Sequence, residues 1–283
     1  MIQQLNKNAA KKVNKSTHKV YFNKFHWTLI AIMLAGCVAY LPLYYTQVFD
    51  INNIYYSGAP TWLNQTLCIS MPIISVIAGI SNLFCIILLA NKKISNFIFG
   101  AIAVILFAIV AVITKQWLFA VLNGLYYLPF QFVGIHTWKK DLTVSGSEVK
   151  VKSMNKKIFL TILGCTIVVG VGVGLIIDIP AIAKALGMDE GTKDWLYYAG
   201  LIINGITMCA SIVAFQIAIR EYKENWIIWI CSNVAVLILW SISIAENIEL
   251  HENAKVFTSA FTLFTYSFSF VNSIYGYLNW SKK

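Results

Sequence analysis

Residues 95–138 read SNFIFGAIAVILFAIVAVITKQWLFAVLNGLYYLPFQFVGIHTW, and Lys115 is the single charged side chain among them. The run is too long and too evenly apolar for a buried helix of a soluble protein. Cut at Lys115, it gives two segments, 95–114 and 116–138, each close to the roughly 20 residues that cross a hydrocarbon core as an α-helix. Backbone polar groups in lipid must bond within their own segment, so each half is helical. A barrel strand would alternate apolar and polar residues; these runs are continuous.

Working outward, six more stretches qualify: 27–47, 66–90, 158–178, 195–219, 225–245 and 255–279. The expected fold is an all-α integral membrane protein with eight transmembrane helices. Composition points the same way. The chain is 58% apolar and 12% charged, with mean hydropathy +0.69, against about 45–50% and about 25% for soluble domains. A soluble fold of 283 residues could not hide that much apolar surface. The net charge of +10 has no polar domain to carry it, which excludes a nucleic-acid partner. Cys37, Cys68, Cys85, Cys165, Cys209 and Cys231 all lie in apolar runs without a C-x-x-C pair. They read as small hydrophobes, so neither disulfides nor a metal site is expected. Lys7, Lys11, Lys12, Lys15, Lys19 and Lys24 precede the first apolar run, which lacks a small-x-small cleavage site. It is read as an uncleaved first span.

The basic residues order the spans. With the N-terminus in the cytoplasm of a cell-membrane protein, 18 of the 22 Lys and Arg fall inside. They occupy the N-terminal tail, Lys92 and Lys93, the 139–157 loop, Arg220 and Lys223, and Lys282 and Lys283. Only Lys115, Lys184, Lys193 and Lys255 fall outside, with 8 of the 12 acids. This asymmetry predicts both termini on the cytoplasmic side. The loop 139–157, with Ser145, Gly146 and Ser147, divides the chain; 179–194, acidic and carrying Pro180 and Gly187, reads as an outside loop.

The two halves resemble each other. Lys93-Ile94-Ser95-Asn96-Phe97 opens one helix and Lys223-Glu224-Asn225-Trp226 opens another, so Asn96 answers Asn225 and Phe97 answers Trp226. Gly134 to Trp138 and Gly276 to Trp280 are both G-x-x-x-W, each followed by lysine within two residues. Three helices over 66–138 thus match three over 195–280 in the same orientation, which needs one linker helix between them. The expected arrangement is 1+3+1+3, a SWEET-like parallel repeat of three-helix bundles. Its parts are 1–65, a basic tail with an extra helix and outside loop; 66–140, the first bundle; 141–194, loop, linker helix and outside loop; and 195–283, the second bundle.

Polar groups inside spans face a cavity or a neighbouring helix. Asn123, Tyr127 and Gln131 recur at i, i+4, i+8 with Tyr126 beside them, and Pro129 is expected to bend that helix. Asn272, Tyr275 and Asn279 form a stripe on the last helix, and Trp226, Trp229 and Asn233 one on the seventh. Together they could line a site for a small polar molecule with an aromatic head: indole faces for the ring, amides and phenols for hydroxyls. Trp226 reads equally as an interfacial anchor, Asn123 and Asn272 also as ties between helices, and His136 and Trp138 as interfacial. No carboxylate sits at mid-span, which favours uncoupled diffusion. No phosphate loop, H-E-x-x-H or nucleophile elbow is present, and Gly170, Gly172 and Gly174 lie within a span. The chain is expected to be no enzyme and to need no cofactor.

On these residues the chain resembles the PnuC family of vitamin-precursor transporters, over about 70–142 and 195–283. The resemblance is carried by the 93–97 turn, Leu128-Pro129-Phe130-Gln131-Phe132-Val133-Gly134, the W-x-x-W of Trp226 and Trp229, and the N-x-x-Y of Asn272 and Tyr275, with a second N-x-x-Y at Asn123 and Tyr126. It implies uptake of nicotinamide riboside by facilitated diffusion, with a cytoplasmic kinase retaining the product, and hints at a homotrimer. It places Trp226 and Trp229 on the nicotinamide ring and Gln131, Asn272 and Tyr275 near the ribose. Relatives for thiamine, riboflavin and deoxynucleosides share the motifs, so these substrates stay open. A membrane sensor or enzyme is the further alternative. It would need His and acids clustered on one span, whereas His18, His26, His136 and His251 are scattered.

Overall fold

The computed structural model describes residues 23–47, 60–113, 117–145, 149–177, 195–249 and 253–282. Apart from its turns and the 149–155 segment, the described chain is helical. In order, α1 is Lys24–Gln47, α2 Thr61–Ala90, α3 Asn96–Ile113, α4 Trp117–Val121 and α5 Leu128–Ser145. Then follow α6 Lys156–Ile177, α7 Trp195–Ile219, α8 Asn225–Glu249 and α9 Asn253–Ser281. A π-helical turn, Leu122–Tyr127, joins α4 to α5 into one continuous segment. The lysines before Asn23, Lys115, Gly146 with Ser147, and the 179–194 loop lie outside the described residues.

Seven helical segments among the described residues are long and apolar enough to cross a bilayer. The eighth expected span, α9, has 29 residues, long enough to cross, but its Ser, Thr, Tyr and Asn side chains make it less apolar. The reason is visible in its packing. Ser259, Asn272 and Ser273 are buried, turned to neighbouring helices, where polar groups find partners. The lipid-facing contrast is α6, where Leu160, Val168, Val169 and Ile176 are all exposed.

α2 packs on α3, and α3 on the α4–α5 segment; α7 packs on α8, and α8 on α9. α6 lies against α7, α1 against α2 and α9, and the two groups meet through α2 with α9 and α5 with α7. Small residues set the α6–α7 distance. A Cβ on Gly170 would stand 2.5 Å from the Ile206 Cα, and one on Gly174 would stand 2.6 Å from the Leu201 carbonyl oxygen. Gly205 faces Gly170 and Gly174 from the other side. Here the backbones touch, as small-residue seams permit in lipid.

The two turns paired in the sequence have one geometry. After α2, Lys92 takes φ 57° and after α7 Glu221 takes φ 68°. In the first, Lys92 N–H donates to Leu89 and Lys93 N–H to Leu88, at 3.0 and 2.9 Å. In the second, Glu221 N–H donates to Ala218 and Tyr222 N–H to Ile217, at 2.9 and 3.1 Å. Both are left-handed helix stops that satisfy the last carbonyls, made without the usual glycine. Asn96 Nδ2 then donates to the Lys93 carbonyl at 2.7 Å and Asn225 Nδ2 to the Tyr222 carbonyl at 2.6 Å.

Trp138, expected at an interface, is fully buried, and this corrects the reading from its place near a helix end. Its Nε1–H donates to the Ile219 carbonyl at 3.1 Å, while Trp280 Nε1–H donates to Leu89 at 3.2 Å. Each indole thus satisfies a carbonyl at the end of the other group's first helix. Lys152 adds a parallel bridge to the second turn, its N–H donating to Glu221 and its carbonyl accepting from Lys223. The described basic turns therefore gather at one end of the molecule.

Candidate functional site

At the end of the molecule where the two turns lie, an aromatic floor joins the two groups of helices. Phe97, Trp138, Phe215, Trp226 and Trp280 form its buried part, and Tyr127, Phe130, Trp229 and Tyr275 pack against it. Trp226 and Trp280 meet edge to face at 5.7 Å between ring centroids, and Phe97 and Trp138 at 5.0 Å. Glycines make the room. A Cβ on Gly276 would strike the Trp226 indole, and one on Gly134 the Phe97 ring. So the paired G-x-x-x-W motifs seat the paired aromatic residues Phe97 and Trp226. Three of the expected site residues, Tyr127, Trp229 and Tyr275, border this one cluster; Trp226 is inside it and is no interfacial anchor.

The polar residues stand around the floor. Gln131 is buried against Gly100, so close that a Cβ on Gly100 would lie 2.6 Å from its Oε1. That oxygen has no hydrogen-bond partner among the described residues. Asn272, fully buried, donates from Nδ2 to the Ile86 carbonyl at 2.9 Å, and its Oδ1 likewise has no partner there. Asn272 therefore both ties α9 to α2 and keeps an acceptor in reserve. Asn233 donates to Ser273 Oγ at 3.1 Å. The Trp226 Nε1–H and the Ser232 hydroxyl also lack partners among the described residues. Native buried polar groups are nearly always paired, so these four atoms, on α5, α8 and α9, are candidates for contact with a polar ligand.

Asn123, Tyr126 and Tyr127 sit on the π-helical turn. Pro129 has no N–H to give, and the wider turn just before it absorbs that defect, with Leu128 N–H reaching the Asn123 carbonyl. The expected bend thus takes the form of a π-turn. The straight i, i+4, i+8 stripe is correspondingly interrupted. Asn123 spends its amide on the Phe119 carbonyl at 2.8 Å, a bond within its own helix. Tyr126 turns to α7, where its hydroxyl accepts from Gln216 Nε2 at 2.8 Å. Tyr127 packs edge to face on Phe215 at 5.6 Å.

Sequence reading missed four contributors. Gln216 was legible as a lone amide in an apolar helix. Ser273 partners Asn233 and Gly100 seats Gln131, and neither carries a motif. Tyr275 is held by the start of α1, Asn23 to His26, more than 240 residues away in the chain. Nothing local in either stretch announces that pairing.

Comparison with known proteins bears on this site. The family described as nicotinamide mononucleotide transporter matches residues 72–282. The nicotinamide riboside transporter PnuC of Neisseria mucosa is 31% identical over 213 residues, covering 73% of this chain and 71% of that protein. The corresponding transporter of Haemophilus influenzae is 29% identical over 212 residues, covering 74% and 79%. A crystal structure of the vitamin B3 transporter PnuC superposes with TM-score 0.58 at 25% identity, over 94% of each chain.

Proposed function

Since this chain belongs to the PnuC family of nicotinamide mononucleotide transporters, we propose that it takes up nicotinamide riboside by facilitated diffusion. The family's members are transporters and not enzymes, and this chain is a multi-pass membrane transporter. In our reading its helices form a 1+3+1+3 array, with both termini in the cytoplasm of a cell-membrane protein and the aromatic floor between two parallel bundles. The two left-handed turns and the reciprocal Trp138 and Trp280 bonds support the repeat. The basic turns gathered at one end support the orientation. A cytoplasmic kinase would retain the product by adding a charged phosphate, and the assembly would be a homotrimer.

The observation that carries the substrate reading is the pairing of aromatic faces with unspent buried amide oxygens. Nicotinamide riboside has a cationic pyridinium ring and a ribose. Trp229, partly buried at the edge of the floor, offers a face that attracts such a ring, and Trp226, packed inside the floor, would back it. Gln131 Oε1 and Asn272 Oδ1 can accept from ribose hydroxyls, and Tyr275 follows Asn272 by three residues on α9. Asn233, Asn123, Tyr126 and Tyr127 shape the walls through the helix contacts above. No mid-span carboxylate is present in the sequence to bind a coupling proton.

Calorimetric titration of the purified protein with nicotinamide riboside tests the site. Gln131→Ala and Trp229→Ala should each abolish saturable binding while the melting temperature stays near that of the unaltered protein. Unchanged binding in both would sink the assignment. The same titration with thiamine, riboflavin and deoxynucleosides ranks the rival substrates.

A further inference from the structure

The start of α1 lies against a residue of the proposed site. Asn23 Nδ2 donates to the Tyr275 hydroxyl at 3.1 Å. Phe25 stacks on the Tyr275 ring with centroids 5.2 Å apart, and the His26 ring meets it edge-on at 4.5 Å. His26 is fully buried, and its Nε2 lies 3.4 Å from the Asn91 amide at the end of α2. The turn is itself fixed, because Asn23 Oδ1 accepts from the His26 N–H at 3.0 Å as a helix N-cap. These residues lie before the stretch 72–282 matched by the family.

A phenol hydroxyl has one proton to give and lone pairs to accept with. In this structure the Asn23 amide occupies a lone pair, which orients the Tyr275 proton away from Asn23. The two flanking rings fix the phenol's plane. The residue is thereby set as a hydrogen-bond donor of fixed direction. We propose that Asn23, with Phe25 and His26, is a positioning element that aims the Tyr275 hydroxyl at an acceptor oxygen of the substrate, a ribose oxygen or the carboxamide carbonyl. The proposal rests on the reading of Tyr275 as a substrate contact. It gives the extra first helix a part in specificity.

The test is a double-mutant cycle read by calorimetric binding of nicotinamide riboside to the full-length protein. Asn23→Ser keeps a side-chain oxygen to cap the His26 N–H but is too short to reach Tyr275, so folding and positioning are separated. Tyr275→Phe removes the hydroxyl and keeps the ring. We expect each single change to weaken binding about tenfold, and the double change to be no weaker than Tyr275→Phe alone, with melting temperatures unchanged. If Tyr275→Phe weakens binding and Asn23→Ser does not, Asn23 is a helix cap only and the inference fails. Additive losses also overturn it, since the two residues would then act apart. If Tyr275→Phe binds like the unaltered protein, or the unaltered protein does not bind, the reading beneath it fails as well.

Discussion

Gln131 shows how one side chain can carry the proposed binding role without carrying the fold. Its amide lies against Gly100, where a Cβ would come within 2.6 Å of Oε1 and 2.7 Å of Nε2. The amide is the far end of a flexible side chain, so Gly100→Ala should displace it at little cost in stability. Its aim would be lost. Gly100→Ala is therefore expected to weaken nicotinamide riboside binding by about tenfold or more, with a melting temperature close to that of the unaltered protein. A large drop in melting temperature with intact affinity would mean that Gly100 serves packing alone. Gln131 itself was legible, because an amide in an apolar span is costly and conspicuous. Gly100 was not, since a glycine in an apolar run has no signal until its neighbour is known. Trp138 was misread for a related reason. Its place near a helix end suggests an interface, whereas a tertiary bond to Ile219 decides its burial.

Helices were the most legible part of the molecule, because lipid forces continuous apolar segments and the backbone closes on itself within them. Their ends moved by a few residues, and α9 joined the set with less apolarity than the rest. The contact between α6 and α7 makes a sharp prediction. Gly205→Ala would push a Cβ into the backbone of Gly170 and Gly174, and overpacking of this kind costs about 1–3 kcal/mol. Gly172→Ala meets open space and should leave stability in detergent unchanged. Equal melting temperatures for the two variants would contradict this packing. The 149–155 strap is a second test at this scale. Lys152 Nζ stands 3.1 Å from Glu221 and 3.4 Å from Asp141. Burial, then a hydrogen bond with Asp141, pushes the Glu221 carboxyl up to about 7. The same hydrogen bond holds Asp141 below the usual carboxylate range. A raised acid stabilises the fold fully below its ordinary value and loses that contribution as pH rises through about 7. Asp141 acts oppositely, and only at the acidic end. Melting temperature should thus fall by a few degrees between pH 6 and pH 8, and Glu221→Gln should flatten the profile. An unchanged slope in that variant would rule out Glu221 as its source. None of this was visible beforehand, since the three residues are brought together only by the turn after α7.

At the scale of the whole molecule, the proposed repeat rests on two short motifs, each a local device: a left-handed stop with an Asn brace, and an aromatic ring, Phe97 or Trp226, seated over a glycine. What the motifs could not reveal is their reciprocal use, each group's Trp closing the first helix of the other. The start of α1 was equally hidden, for its partner Tyr275 lies at the far end of the chain. Together these contacts surround one aromatic floor, and the uncoupled carrier we propose would need no energy source to move its guest. The most direct test is uptake of labelled nicotinamide riboside into liposomes containing only this protein, without ATP or any ion gradient. The internal concentration should rise saturably until it equals the external one and stop there, and an imposed proton or sodium gradient should change neither level. Absence of saturable uptake, or gradient-driven accumulation above the external concentration, would contradict the account.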